Sequence, residues 1–300
     1  MGLALFIFWA LSFSPTTLYS WEKRIFATDY GEIIIENLKT APFPHETRES
    51  GYTYRGQFFS KEKHYNDNSV FIFIPKQMDK VSDINFVFYF HGWNDSLVMI
   101  PPKYKIISQF AASHRDAILV IPQGPLNAPD SSGGKLEDVD GFKEFVDELL
   151  LKLYEKNKIQ SKRVGSIVLS GHSGGFRVMS YILLHGGYAR KIKEVYLFDG
   201  LYSQLEKFVY WINYYEGKFI NVFTRNEYTL ENSLRLIEDF DGWNIPYLLK
   251  DEEGLTKEDL LKNRVFFIFT EKDHNEVMHD SFKKFLYYSC LPKLKPSQGK

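Results

Sequence analysis

SIVLSGHSGGFRVMSYILLHGG, residues 166–187, is the stretch that decides the fold. Its first part, residues 166–169, is a short apolar run of the kind that forms a buried strand. Its last part, residues 176–184, is long and apolar enough for a helix, and the glycine pair at 186–187 marks the end of that helix. The stretch therefore predicts a strand and a helix joined by the tight turn GHSGG.

The turn itself, Gly171-His172-Ser173-Gly174-Gly175, matches the pattern G-x-S-x-G. A nucleophile held on a tight strand-to-helix turn has a strained backbone, so its neighbours must be small enough to let the chain bend and the helix approach. Gly171 and Gly175 meet that requirement. Such a turn lifts the Ser173 hydroxyl to the carboxyl edge of a sheet and points backbone N–H groups at it. A glycine-rich turn with a helix-capping serine is the alternative interpretation.

Strands and helices alternate from residue 70 to the C-terminal region. The predicted strands are residues 70–74, 85–90, 117–121, 166–169, 195–198, 219–223 and 265–269. The predicted helices are residues 142–154, 176–184, 205–215, 230–240 and 281–291, and Asp140 is placed to cap the first of them. This alternation predicts an α/β fold, a doubly wound and mostly parallel sheet with helices on both faces. Residues 21–69 are expected to add leading strands and a long loop to the same domain.

The composition is that of an ordinary globular protein. Of the 300 residues 44% are hydrophobic, and the net charge is only -1, so neither a nucleic-acid partner nor an acidic disordered tail is indicated. Cys290 is the single cysteine, which excludes an intramolecular disulfide, a CxxC redox pair and a thiolate zinc site. We expect no cofactor and no metal ion.

The N-terminus carries an apolar segment, residues 2–13, followed by a small and polar run. Its length suits a signal peptide and is too short for a stable membrane span, which needs ~20 residues. We therefore expect residues 1–20 to be a signal peptide and the protein to be periplasmic or secreted, starting near Trp21. The segment has no Lys or Arg before its apolar part, so a buried or interfacial first segment in a cytoplasmic protein is the alternative.

The turn at residues 171–175, called the elbow below, and the segment His91-Gly92-Trp93 after the strand at 85–90 together resemble the α/β-hydrolase superfamily. The resemblance covers residues 70–291. The resemblance implies that residues 70–300 are a catalytic domain. It also implies that the His-Gly pair begins a loop furnishing one N–H of an oxyanion hole, from Trp93 or alternatively Asn94. The second N–H would come from Gly174. Losing one such donor costs about 3–4 kcal/mol of barrier. A plain turn at His91-Gly92 is the alternative.

A serine nucleophile needs a base, and the order in this superfamily is serine, acid, histidine. His274 follows the last predicted strand by five residues, which places it at the carboxyl edge beside Ser173. His279 lies further along, near the last helix, where we expect it to be solvated. His172, inside the elbow, is expected to be a packing or capping neighbour.

Two carboxylates compete for the place of the acid. Asp199 directly follows the strand at 195–198 and is preferred, whereas Glu227 lies behind the next strand, in a loop that also holds Arg225. Asp273 is rejected because it abuts His274 and no later strand remains to supply another base. A cap or turn residue is the alternative interpretation of Asp199.

These residues predict a serine hydrolase that cleaves a carboxylic ester, or a related acyl bond of a small molecule, through a Ser-His-Asp triad and an acyl-enzyme. A peptidase or thioesterase on the same scaffold, or a non-catalytic binding protein, is the alternative. The segment HNEVMH, residues 274–279, lacks the HExxH spacing of a metal hydrolase. The stretch after Asp199 has room for only one helix, so we expect no large lid domain. Trp93 and Tyr202 are candidates to line an apolar or sugar-stacking pocket.

Overall fold

The structure, a computed structural model, describes residues 25–295. The predicted signal peptide, residues 1–20, and the predicted start at Trp21 lie outside the described residues. The strands are β1 (Ile25–Ala27), β2 (Gly31–Asn37), β3 (Tyr52–Tyr54), β4 (Gln57–Phe59), β5 (Ser69–Pro75), β6 (Ile84–Phe90), β7 (Ile118–Pro122), β8 (Val164–His172), β9 (Ile192–Phe198), β10 (Lys218–Phe223), β11 (Leu248–Asp251) and β12 (Val265–Phe269). The helices are α1 (Lys61–His64), α2 (Ile100–Lys103), α3 (Ile106–Ala112), α4 (Gly141–Glu155), α5 (Phe176–His185), α6 (Leu205–Tyr215), α7 (Glu227–Trp243), α8 (Lys257–Lys262) and α9 (Ser281–Tyr287).

Ten of these strands form one sheet in the order β1-β2-β5-β7-β6-β8-β9-β10-β12-β11. From β7 to β11 every neighbouring pair is parallel, and the three pairs from β1 to β7 are antiparallel. The predicted mostly parallel sheet is thus confirmed. β2 pairs with β5 over seven residues, so the leading segment belongs to the same sheet. β3 and β4 form a separate hairpin.

Helices cover both faces of the sheet, which explains why its strands are apolar along their whole length. Successive side chains of a strand point to opposite faces. In β6, Phe86 and Phe88 therefore pack in one buried cluster with residues of α4 to α7, whereas Val87 and Tyr89 pack in the other with residues of α3 and α9. Between β9 and β10, the described chain contains α6 alone, in agreement with the absence of a large lid.

Several local predictions differ from the structure. Asp140 occupies the position before α4, but its φ is +60° and its side chain makes no capping hydrogen bond, so the predicted side-chain cap is wrong. The last helix ends at Tyr287 and not at residue 291: Tyr288 has left the helical conformation, with a φ of -105° and a ψ of 14°. Pro292 in addition disfavours a helical conformation at residue 291. The guanidinium of Arg115 donates to the carbonyl oxygens of Leu286, at 2.7 Å, and Tyr287, the last two residues of the helix. It also donates to the carbonyl oxygen of Leu291, beyond the helix, at 2.7 Å. Within residues 25–295, no helix combines the length and the apolar character needed to cross a membrane.

Candidate active site

The turn after β8 has the strained geometry that the motif predicts. Ser173 has a φ of +51°, a conformation that residues other than glycine rarely adopt. A Cβ atom at Gly175 would lie 2.4 Å from the carbonyl oxygen of Phe90, and one at Gly171 would lie 2.5 Å from the sulfur of Met179. Neither position has room for a side chain. The two glycines therefore let the chain turn sharply between β8 and α5, with Ser173 at the apex.

Sheet register brings the other candidate residues to the same edge. Phe198 of β9 pairs with His172 of β8, so Asp199 begins its loop beside Ser173. A Cβ atom at the next residue, Gly200, would lie 3.1 Å from the carbonyl oxygen of Ser173, which shows how closely the two loops pack.

Asp199 is fully buried and surrounded by hydrogen-bond donors. Its Oδ2 atom accepts from Nδ1 of His274 at 2.6 Å and from the hydroxyl of Thr224 at 2.9 Å. Its Oδ1 atom accepts from the backbone N–H of Thr224 at 3.2 Å and from the hydroxyl of Thr229 at 2.5 Å. Burial by itself raises the pKa of this carboxyl, but the hydrogen bonds from His274 and the threonines outweigh it, and the pKa lies below its ordinary value. Asp199 is therefore an ionised acceptor at neutral pH.

His274 lies in the loop after β12, directly against the elbow. Because Nδ1 donates its proton to Asp199, the neutral imidazole carries its free lone pair on Nε2, as a base for a serine must. The carbonyl oxygen of His274 accepts a 2.7 Å hydrogen bond from Nε2 of His172, and the two rings lie 4.5 Å apart. His172 thus holds the backbone of the loop after β12 that carries His274, called the histidine loop below.

His172 is held in one neutral tautomer. A carbonyl oxygen only accepts, so Nε2 of His172 bears the proton, and Nδ1 accepts from the hydroxyl of Tyr104 at 3.2 Å. Burial, and then the neighbouring His274, lower the pKa of His172 to about 3. At neutral pH the residue beside the elbow serine is therefore an uncharged donor, a role more specific than the packing or capping neighbour predicted from the sequence.

The loop after β6 is pinned by His91 and lies against the serine. Nε2 of His91 accepts from the backbone N–H of Gly124 at 2.9 Å, so the proton is on Nδ1, which donates to the carbonyl oxygen of Gly92 at 2.8 Å. A Cβ atom at Gly92 would lie 2.8 Å from Cβ of Ser173 and 3.3 Å from its Oγ. Only glycine at this place lets the loop approach the serine hydroxyl so closely.

Two backbone N–H groups beside Ser173 are available to a ligand. Within residues 25–295, no protein acceptor takes the N–H of Trp93 or of Gly174. A Cβ atom at Gly174 would lie 2.8 Å from the Trp93 side chain, which shows that the two residues are neighbours. The N–H of Asn94, in contrast, donates to the carbonyl oxygen of Ala128 at 3.0 Å. In this loop conformation the N–H of Asn94 is therefore occupied by a protein acceptor.

Aromatic side chains flank the site. Trp93 is 41% exposed, donates from Nε1 to the hydroxyl of Ser131 at 2.7 Å, and packs edge-on against Tyr54 of the β3–β4 hairpin at 5.2 Å. This hairpin was not predicted from the sequence, because its two strands have only three residues each and are too exposed to show a clear hydrophobic pattern.

Tyr202 lies in the loop that follows Asp199. Its ring packs against Phe176 at 5.9 Å, and its hydroxyl accepts from Nδ2 of Asn226 at 3.4 Å. Burial and the charge of Asp199 raise the pKa of Tyr202 to about 12, against the opposing effect of a hydrogen bond with Ser173. The Tyr202 hydroxyl is therefore neutral at neutral pH.

In the described chain, none of the remaining candidates from the sequence forms a hydrogen bond with the imidazole of His274. Glu227 is the exposed first residue of α7, and no hydrogen bond or ion pair of its side chain is formed within the described part of the chain. Arg225 pairs with Glu271 at 2.8 Å and not with Glu227. Asp273 is exposed, and its carbonyl oxygen starts the turn that follows. His279 is half-buried, and its Nε2 approaches the carbonyl oxygen of Lys103 at 3.3 Å.

Comparison with known proteins supports the fold. No protein-family model matches the chain, and no curated protein matches it by sequence. Among solved structures, it is similar to a ferulic acid esterase, with 12% identity, a TM-score of 0.54, and coverage of 86% of this chain and 97% of the other. A mutant feruloyl esterase module from Clostridium thermocellum, complexed with sinapinate, gives 12% identity, a TM-score of 0.53, and coverage of 87% and 89%. The substrate-bound fluorophosphonate-binding serine hydrolase F of Staphylococcus aureus gives 10% identity, a TM-score of 0.51, and coverage of 87% and 99%. The protein therefore has the fold of the α/β-hydrolase superfamily.

Proposed function

We propose that this protein is a serine hydrolase that cleaves carboxylic esters through an acyl-enzyme intermediate. The observation that carries the proposal is the 2.6 Å hydrogen bond from Nδ1 of His274 to the buried carboxylate of Asp199, formed beside a serine on a strained turn. That bond leaves Nε2 as the only basic nitrogen of His274, and the loops carrying all three residues meet at one edge of the sheet.

In the proposed reaction, Ser173 Oγ attacks the ester carbonyl carbon while Nε2 of His274 takes the hydroxyl proton. Asp199 stabilises the imidazolium that forms. The carbonyl oxygen becomes an oxyanion, which accepts hydrogen bonds from the free N–H groups of Trp93 and Gly174. The imidazolium then gives its proton to the departing alcohol. Water, activated by the same imidazole, releases the acid and restores Ser173.

The surroundings of Ser173 support an ester with an aromatic or extended apolar acyl group over a small acetyl ester. Trp93, next to the elbow, packs against Tyr54, and Tyr202 packs against Phe176 at the start of α5, so flat apolar surface lies near the elbow. In the described chain no lid domain covers the site. Two of the solved structures with this fold are named for esters of an aromatic acid, ferulic acid. Thioesters and peptides are the other acyl compounds that the same chemistry attacks.

The decisive test uses Ser173→Ala with a fluorophosphonate probe and a p-nitrophenyl ester. We expect the wild-type protein to be labelled and active, and the variant to be neither, with an unchanged thermal melt, because the serine and its base act as one unit. Ser108→Ala, which removes an α3 hydroxyl that donates to the carbonyl oxygen of Lys105, is the matched control and should behave as wild type. Activity of Ser173→Ala within tenfold of wild type contradicts the proposal.

The acyl group is tested separately with p-nitrophenyl esters of rising chain length, together with a methyl cinnamate-type ester and a thioester. We expect kcat/KM to be highest for the aromatic or longer acyl chains. Replacing Trp93 with Ala should lower kcat/KM for those substrates more than for the acetyl ester, since it removes apolar surface while leaving the backbone N–H. A preference for acetyl esters in the wild-type protein would contradict this assignment of the substrate.

A further inference from the structure

The loop that carries His274 begins and ends beside one largely buried carboxylate, that of Glu252. β11, the outermost strand of the sheet, runs parallel to β12, and Asp251 pairs with Phe269 at the end of both strands. The next residue of each strand, Glu252 and Thr270, therefore leaves the sheet at the same place. Thr270 opens the loop that contains His274, and the loop ends at Ser281, the first residue of α9.

Glu252 binds both ends of this loop. Its Oε2 accepts from the hydroxyl of Thr270 at 2.5 Å, and its Oε1 accepts from Nζ of Lys272 at 2.8 Å and from the hydroxyl of Ser281. Lys272 in turn donates to the carbonyl oxygen of His279 at 2.8 Å and to the hydroxyl of Ser281 at 3.3 Å. The ion pair of Glu252 and Lys272 thus connects the start of the loop, at Thr270, with its end, at His279 and Ser281.

The ion pair is partly shielded from solvent. The side chain of Glu252 is 14% exposed and that of Lys272 is 32% exposed, while Thr270 and Ser281 are buried. Burial by itself raises the pKa of Glu252, but the hydrogen bonds from Lys272, Ser281 and Thr270 outweigh it and hold the pKa below its ordinary value. Contacts of this kind between charged groups are stronger than those of exposed ion pairs, because little water screens them.

His274 lies between the tied ends and makes few contacts of its own. Its side chain is 31% exposed and is anchored by Asp199 through Nδ1, while its carbonyl oxygen is anchored by His172. The loop backbone around it must hold Nε2 within hydrogen-bonding reach of the serine, and a displacement of about 1 Å in an active site can cost ~10²-fold in rate.

We infer that Glu252, paired with Lys272, is a positioning residue for His274, since the pair closes the histidine loop at both ends and holds the imidazole at the elbow. This inference rests on the proposed function. Glu252 touches neither the serine nor a substrate, so it acts through the loop.

The test compares Glu252→Gln, Lys272→Met and the double variant with Glu253→Gln, an exposed glutamate in the same turn, as the matched control. Each single change leaves a partly exposed charge of the pair without its partner, which lowers stability. The double variant leaves no unpaired charge, so its melting temperature should rise again relative to the single variants. We measure kcat, KM, the rate of fluorophosphonate labelling and the thermal melt.

The expected result for Glu252→Gln is a kcat and a labelling rate about 10- to 100-fold below wild type, with KM changed less than about threefold, since substrate contacts are untouched. The double variant should regain melting temperature but not kcat. A double variant that regains kcat together with stability, or a Glu252→Gln variant within about twofold of wild type, overturns the inference.

Nuclear magnetic resonance of the His274 imidazole gives a readout that does not depend on ester hydrolysis. In Glu252→Gln and in the double variant, the Nδ1 proton signal should shift and broaden, because the loop samples more positions. Glu253→Gln should leave it unchanged. An unchanged signal in the Glu252 variants overturns the inference even if the wild-type protein hydrolyses no ester. Failure of the proposed function, seen as a wild-type protein that is neither labelled nor active, is thereby distinguished from failure of the positioning role.

Discussion

Replacement of Asp199 by Asn tests the geometry around His274 most directly. The Oδ1 position faces the backbone N–H of Thr224, which only donates, so the new amide must keep its oxygen there. Its NH2 group then occupies the Oδ2 position, which faces Nδ1 of His274. Two donors cannot share a hydrogen bond. His274 must therefore accept at Nδ1 and move its proton to Nε2, the nitrogen that the serine needs free.

The magnitude follows from the loss of the correct tautomer. A carboxylate-to-amide change at this place in a serine triad lowers kcat by ~10⁴-fold, which corresponds to about 5 kcal/mol of barrier. The fold should survive, because the hydroxyls of Thr224 and Thr229 can rotate to suit an amide. Glu227→Gln is the control, since Glu227 is exposed and lies away from His274, and we expect its kcat to change less than about twofold.

The assay is kcat on one p-nitrophenyl ester for both variants, with thermal melts to verify folding and the pH of the assay varied from 6 to 9. An Asp199→Asn variant that melts like wild type and retains more than about a tenth of its kcat would refute the tautomer argument. A larger loss for Glu227→Gln than for Asp199→Asn would move the acid to the loop after β10.

Three further predictions concern other parts of the molecule. Gly92→Ala should lower kcat by about 10²-fold, because the new methyl group would press on Ser173. Its control, Gly242→Ala on the exposed face of α7, should leave kcat unchanged and add about 0.5–1 kcal/mol of stability. Equal kcat values for the two variants would contradict the close approach of Gly92 to Ser173. The pKa of His172 is about 3 in the folded protein and about 6.5 in the unfolded chain, so between pH 6.5 and pH 3 the unfolded chain binds a proton that the folded protein does not. The free energy of unfolding therefore falls as the pH drops through this range, by at most ~1.4 kcal/mol per pH unit. His172→Gln should therefore show a shallower fall in melting temperature from pH 6.5 to 4.5, and identical slopes would count against the buried neutral imidazole. Export predicts a mature protein that starts near Trp21, and an intact mass from the native host that retains residues 1–20 would exclude it.

Much of the architecture could be read from local patterns. The strand at 265–269 and the helix at 205–215 have the same bounds in the structure as in the sequence prediction. In both segments the apolar residues are those buried on one or two faces, so the spacing of apolar residues in the sequence directly reflects which faces are buried. The edge strand β11, with the sequence LLKD, has only half-buried and exposed residues, so its sequence shows no apolar pattern from which a strand could be predicted. The same holds for the β3–β4 hairpin that reaches Trp93.

The candidate site divides in the same way. The elbow motif and the order of serine, acid and histidine along the chain single out Ser173 and His274, because a strained turn and a general base require particular residue types at particular places. Position along the chain favoured Asp199 over Glu227, but whether the carboxyl reaches the imidazole could not be predicted from it. That contact depends on the lateral register of β8, β9 and β10, which sets the carboxyl beside the imidazole and is invisible to any local pattern. The catalytic roles themselves stay predictions.

Contacts between loops distant in the chain were decided by the tertiary structure alone. Neither the hydrogen bond from His172 to the carbonyl of His274 nor the link from Glu252 to both ends of the histidine loop has a sequence signal, since each joins residues that become neighbours only when the strands lie side by side. The sequence by itself determined which segments are buried and which turn carries the serine, because burial and backbone strain act on single segments. The positions of hydrogen-bond partners depend on the packing of several segments at once, and only the folded chain decides them.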